Sequence, residues 1–384
     1  MIMLGLADFD AILLPLEILY DQFSRAVLSD IARRLVKTGR ITATAAWQAQ
    51  RLVESGKVFE DVIKRISELT SLSEEELAKA FKEAGVRSLT FDNRILKRAG
   101  ITGVNLNLSP AMQQVLFEGL KKTESLLKNL TLTTANTAQT AFFEAMDLAY
   151  MEVAHGTMSY SQAIRQAIKS VASKGLEVIN YPSGRKDQID VAIRRALLTG
   201  VSQTAAGITW KNIEDNNIDL IEVSAHIGAR NKGTGPENHE QWQGKVYSRT
   251  GNPKYPDFIT STGFGTVTGL SGINCRHSFY PYFEGTPRNY SEQTLEEYGG
   301  KTVTYRGEEI DFYKATQIQR KIERDIRAKK REAAVLGSVG KDNTKEIQEI
   351  RSLQARMRNF IKQTGLHRQP DREGGRVVLV RGPE

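Results

Sequence analysis

With one cysteine in 384 residues, the chain cannot form an intrachain disulfide. Its fold must be held by its own core, which fits a reducing compartment, or a particle assembled in one, better than a secreted disulfide scaffold. Long apolar runs are missing too. The N-terminal stretch MIMLGLADFDAILLPLEILYDQ is interrupted by Asp8, Asp10, Glu17 and Asp21 and has no leading positive charge. No other segment approaches the ~18 apolar residues of a membrane-spanning helix, so neither a signal segment nor a membrane span is expected. Nucleotide-cradling glycine patterns are also lacking. GFGTVTGLSG does not have the G-x-G-x-x-G interval, WQGK lacks the leading glycine of a phosphate loop, and GLSGIN is not G-x-S-x-G. No internal repeat or low-complexity tract appears, which leaves an ordinary globular organisation.

The composition supports that reading, with 40% hydrophobic and 26% charged residues. A chain of this length exceeds what one core usually organises and points to roughly two or three domains. Helical periodicity dominates the first 215 residues. Ile12, Leu16, Leu19, Phe23, Val27 and Ile31 make one stripe, with Pro15 expected in the first turn. Val58, Val62, Ile63 and Ile66 make another. Ser73-Glu-Glu-Glu76 reads as a capping box opening a helix that Gly85 would close, and Ser109-Pro110 as an N-cap followed by proline at the first helical position. Further helical patterns run to about residue 215. The N-terminal stripe needs a covering surface, either a partner in an assembly or its own domain.

From IDLIEVSAH onward the pattern changes to short apolar runs, glycine and aromatics. Residues 218–223 and KVYS read as strands, and KTVTYRGEEIDFY as a hairpin turning at Arg306-Gly307. Helix returns after Tyr313. From residue 314 to the end, 18 Lys and Arg face 9 Asp and Glu, a net of +9 against +8 for the whole chain. The expected fold is α+β, with a mostly helical region (1–215), a small α+β module (216–312), a basic helical arm (313–365) and a tail (366–384).

The rare chemistry lies in the module. His226, His239, Cys275 and His277 supply the four ligands of a closed zinc site, although the Cys-x-His spacing is not that of a known finger. Alternatively, Cys275 pairs with His277 or His239 as an activated nucleophile. An enzyme built on His226, Arg230, His239, Cys275 and His277 would need Glu222 or Glu237 as its carboxylate. The preferred reading is structural: Cys275 packs as a small hydrophobe, the histidines donate to carbonyls, and Trp242, Tyr247, Phe279 and Tyr282 surround them. In the arm, Arg320, Lys321, Arg324, Arg327, Lys329, Lys330 and Arg331 crowd three helical turns, leave little room for an apolar stripe, and suit nucleic acid or an acidic surface.

The segment SAHIGARNKGTGPENHEQWQGKVYS, followed by YPDFITSTGFGTVTGLSGINCRHSFYPYF, resembles the phage minor capsid protein 2 family and, more distantly, the Mu protein F-like head-morphogenesis proteins. The shared skeleton is His226, Arg230, His239, Gly244-Lys245-Val246 and Asn274-Cys275-Arg276, with Trp242 beside it. Mu-type relatives end this motif Cys-Arg-Cys where this chain has His277. The resemblance is sharp over residues 222–285. It implies a low-copy component of a tailed-phage or prophage head, assembled in the bacterial cytoplasm and located in the virion. It further implies the portal protein or other head proteins as partners, with double-stranded DNA packaged beside it.

Overall fold

The computed structural model describes residues 6–38, 45–180, 185–375 and 377–381. Helix dominates the first half, with α1 (Leu6–Lys37), α2 (Ala45–Arg98), α3 (Pro110–Ala154) and α4 (Tyr160–Lys174). A two-stranded hairpin, β1 (Glu177–Asn180) with β2 (Arg185–Gln188), precedes α5 (Ile189–Asp215). Short elements follow: β3 (Leu220–Val223), α6 (His239–Trp242), β4 (Val246–Ser248), α7 (Phe258–Thr262), β5 (Phe279–Pro281) and α8 (Glu292–Tyr298). A second hairpin, β6 (Thr302–Tyr305) with β7 (Glu308–Asp311), leads into α9 (Phe312–Ser338) and α10 (Thr344–Thr364). The α+β class is therefore correct, with helix predominant.

Several helix boundaries differ from the sequence reading. Pro15 lies well inside α1 rather than in its first turn. A proline there forgoes one backbone hydrogen bond, and the packing of Leu13 and Leu16, both 0% exposed, holds the helix regardless. The expected break between Ser73 and Gly85 is absent, because α2 runs through both positions. Ser73 Oγ donates to Thr70 O within the helix at 3.1 Å instead of capping. Gly85 serves close approach, since a Cβ there would meet Ile208 Cδ1 at 2.6 Å. The cap at Ser109 forms as read, its Oγ accepting from the Met112 N–H at 3.3 Å. Ser159 and Gln162 form a capping box at the start of α4.

The chain forms two compact units, each gathered from three separated stretches. The first comprises residues 1–16, 74–126 and 194–316; the second comprises 17–73, 127–193 and 317–384. The sequence-based blocks, by contrast, are consecutive.

In the first unit, β3 is the central strand of an antiparallel sheet in the order β4-β3-β5, with Ile221 opposite Tyr247 and Val223 opposite Phe279. All four β3 residues are buried. Leu96 of α2 and Ala206 and Ile213 of α5 join Trp242, Tyr247, Phe258, Cys275 and Phe279 in one apolar cluster. The expected aromatic centre is present except for Tyr282, which is only half-buried and donates its hydroxyl to Thr286 O. Tyr280 is buried instead, edge-on to Phe91 of α2 at 5.1 Å. Both sheet faces are covered, so strand alternation does not send Tyr280 to solvent.

The same unit contains a close pairing of α3 and α5. A Cβ on Gly119 would lie 3.0 Å from Thr204 Cβ and nearer still to its Oγ1. A Cβ on Gly200 would lie 3.1 Å from Thr123 Cβ, again nearer to Oγ1. Each helix presents a glycine and, four residues later, a threonine, and the two patterns interlock in opposite directions.

In the second unit, Glu346 of α10 is buried and accepts from Arg165 Nη2 of α4 at 3.0 and 2.9 Å, with Lys169 Nζ at 2.9 Å. The α1 residues Phe23, Val27 and Ile31 are buried here, and Ile12 and Leu16 are buried in the first unit. The stripe that could have faced a partner is thus covered by the chain itself.

Candidate functional site

The site begins on a one-turn helix. Asn238 precedes α6, which sets His239 and Trp242 facing inward, both buried. Gly244, at φ +67°, then turns the chain into β4; a side chain there would strike Leu295. Tyr247 on β4 donates its hydroxyl to Trp242 O at 2.8 Å, and Trp242 Nε1 donates to Pro236 O at 3.0 Å. Opposite, Asn274 adopts φ +58°, a conformation asparagine tolerates, and carries the chain from the glycine loop into Cys275. Two residues later His277 enters the same interior, just ahead of β5.

Three of the four sequence-selected ligands meet. His239, Cys275 and His277 are 3%, 2% and 1% exposed, and each offers a ligand atom within 4.8 Å of the others. Cys275 Sγ lies 3.7 Å from His277 Nδ1. His226 is adjacent but outside this group. Its ring stacks on His277 at 4.4 Å between centroids, and its Nδ1 lies 3.1 Å from Ile227 O. Among the described residues no carboxylate joins the three. Glu222 accepts from the Asn289 N–H at 2.8 Å and from Asn289 Nδ2 at 3.0 Å, which anchors a loop, while Glu237 is exposed.

The hydrogen bonds fix the proton positions. Gln243 Oε1 accepts the His226 backbone N–H at 3.0 Å and therefore also accepts from His277 Nε2 at 3.1 Å. His277 Nδ1 is left with a lone pair toward the Cys275 thiol. His239 Nε2 donates to Thr268 O at 2.8 Å. Burial drives the His239 pKa down to about 4 and pushes His277 down as well, with neighbouring His226, His239 and Arg230 adding to the effect on His277. Burial raises the Cys275 thiol above its usual value. At neutral pH the trio is two neutral imidazoles and a protonated thiol. A buried thiol with a raised pKa is the reverse of an activated nucleophile, so the arrangement favours packing or metal ligation over thiol catalysis.

The remaining motif residues support this centre. Arg230 donates to Thr268 O and Ile273 O, both at 3.3 Å, and ties the glycine loop down. Lys245 is exposed and donates to Gln241 O at 2.7 Å, Arg276 is half-buried, and Asn274 is exposed. Gln243 and Thr268 were not selected from sequence. Nothing in an isolated glutamine or in a backbone carbonyl signals that it will orient an imidazole across the fold.

The basic arm differs from its sequence reading. The helix α9 does carry an apolar stripe, with Ile322, Ile326, Ala333 and Leu336 all 0% exposed. Arg331 is buried and donates to Ala172 O, Ser173 O and Gln188 Oε1, each at 3.3 Å. Arg327 pairs with Asp190 at 3.1 Å, and Lys329 with Glu332 and Glu349, both at 2.9 Å. Lys330 donates to Gly374 O at 2.8 Å. Lys321 and Arg324 are exposed and Arg320 is half-buried. More of the unpaired charge lies on α10. Lys345, Arg351, Arg356, Arg358 and Lys362 are exposed, opposite the buried Ile350, Met357 and Phe360, and form no ion pair among the described residues.

Comparison with known proteins follows the same lines. The sequence profile of the phage minor capsid protein 2 family matches residues 8–362. A structural protein of Lactococcus phage LL-H is 24% identical over 343 residues, covering 85% of this chain and 88% of that protein. A structural protein of Lactococcus phage mv4 is 36% identical over 125 residues, covering 32% of this chain and 93% of that protein. No solved structure matches.

Proposed function

The chain belongs to the phage minor capsid protein 2 family, and from that premise we propose that it acts in the phage head beside the portal protein, aids head morphogenesis in the host cytoplasm and is packaged with the DNA. Its place among phage structural proteins rests on a match that spans nearly the whole chain. The observation that best supports a structural task is the sealed motif centre. The most distinctive residues of the sequence hold one another in the core, and their thiol is buried and protonated. A role through surface contacts with other head proteins is consistent with that. No helix of the described residues is long and apolar enough to cross a membrane.

Contact with packaged DNA is part of this proposal, and it is supported by the cationic face of α10 together with the exposed Lys321 and Arg324 of α9. Cross-linking of purified particles carrying an epitope-tagged copy tests the head assignment. The expected result is a low-copy band in finished particles that cross-links to the portal protein. A protein found in the infected-cell lysate but missing from washed particles would overturn the proposal.

A further inference from the structure

We infer that His239, Cys275 and His277 bind one Zn²⁺ through three protein ligands. The inference goes beyond the head-protein proposal and does not depend on it. Two ligands on a tetrahedral zinc, at metal distances of about 2.0–2.3 Å, sit about 3.5 Å apart. Cys275 Sγ and His277 Nδ1 are already 3.7 Å apart, and the third ligand atom lies within 4.8 Å of both. Small side-chain shifts bring all three to one metal.

The imidazoles are prepared for this on their far sides. A metal-binding histidine almost always donates its other ring N–H to a carbonyl or a polar side chain, which sets the tautomer and aims the lone pair. His277 Nε2 donates to Gln243 Oε1, itself fixed by the His226 N–H. His239 Nε2 donates to Thr268 O, a carbonyl also held by Arg230. In a neutral ring each such bond leaves Nδ1 unprotonated, and His277 Nδ1 faces the Cys275 sulfur. Both rings carry this outer support, so their tautomers are already those a metal requires.

Arg230 places an opposing charge beside the site, and it makes the cysteine decisive. Two neutral imidazoles beside a guanidinium would hold a dication poorly. Cys275 binds as thiolate, its proton passing to solvent as the S–Zn bond forms, and that lowers the charge of the site by one. The ligand set of two nitrogens and one sulfur is one that zinc accepts.

The test uses the purified full-length chain, equilibrated with zinc and then dialysed. Elemental analysis should find one zinc per chain, chelation should lower the melting temperature, and refilling with Co²⁺ should give a thiolate-to-cobalt charge-transfer band. Cys275→Ala should abolish the band, whereas His226→Ala should keep the metal. The wild-type chain decides the matter even if a variant fails to fold. A folded wild-type protein that retains no zinc and shows no thiolate band with cobalt would overturn the inference, as would a band that persists in Cys275→Ala.

Discussion

Asp92 on α2 is 1% exposed, and burial raises its carboxyl from 3.8 to about 7, outweighing the Thr209 and Asn212 side chains that favour its charge. The folded chain therefore holds this proton over a range in which the unfolded chain has released it. The stabilising contribution is complete below about pH 4 and is lost as pH rises to about 7, at about 1.4 kcal/mol per pH unit. Asp92→Asn should remove that slope and make the variant more stable than wild type at pH 8, as read by urea unfolding across pH. Identical pH profiles for the two proteins would contradict this. Nothing local in the sequence singles out Asp92, because its burial depends on α5, more than a hundred residues away. The same reason hid Gln243. Cys275, His239 and His277, by contrast, stood out by rarity alone, and their convergence followed.

At the scale of elements, period and capping carried the reading where the signal is local. The α3 N-terminus, β3, β4 and the β6–β7 hairpin fall where the residue patterns place them. The failures share a cause. Gly85 resembles a helix stop, but Ile208 on another helix makes it a packing glycine. Likewise the charges of α9 read as leaving little room for an apolar stripe, but Ile322, Ile326 and Leu336 are buried, and Asp190, Glu349 and the carbonyls that consume several of the charges come from distant stretches. The crossing of α3 and α5 yields a prediction of the same kind. Alanine at Gly119 gains about 1 kcal/mol of helix propensity, yet overpacking against Thr204 costs about 1–3 kcal/mol, so a net loss is expected. Thermal unfolding of Gly119→Ala should show it, and adding Thr204→Ala should restore most of the loss. Independent, additive effects of the two substitutions would refute the contact.

For the molecule as a whole, the charge is placed unevenly, since residues 314–384 hold a net +9 against +8 overall. The remainder of the chain is close to neutral, so the proposed DNA contact is assigned to the arm, and within the arm chiefly to α10. Binding of the full chain to unrelated DNA duplexes should weaken steeply with salt. Replacing Arg351, Arg356 and Arg358 by glutamine should flatten the slope of log K against log salt by about 2.7, at about 0.9 per phosphate contact. An unchanged slope would mean that this face serves solubility. Composition alone located the excess charge. Choosing between two adjacent helices required knowing which cations the fold had already used.

The glycine and threonine exchange between α3 and α5 also works as a mechanical index. Sliding one helix by a single turn in one direction would set Thr123 against Thr204, two bulky groups where there is room for one. Sliding it the other way would set Gly119 against Gly200 and open a void. Both neighbouring stops are penalised, so the pair has one seat along its length. One-turn ratcheting, by which some packed helices transmit a signal, is denied to this crossing, and the two positions on each helix should change over evolution only in concert with their opposite numbers.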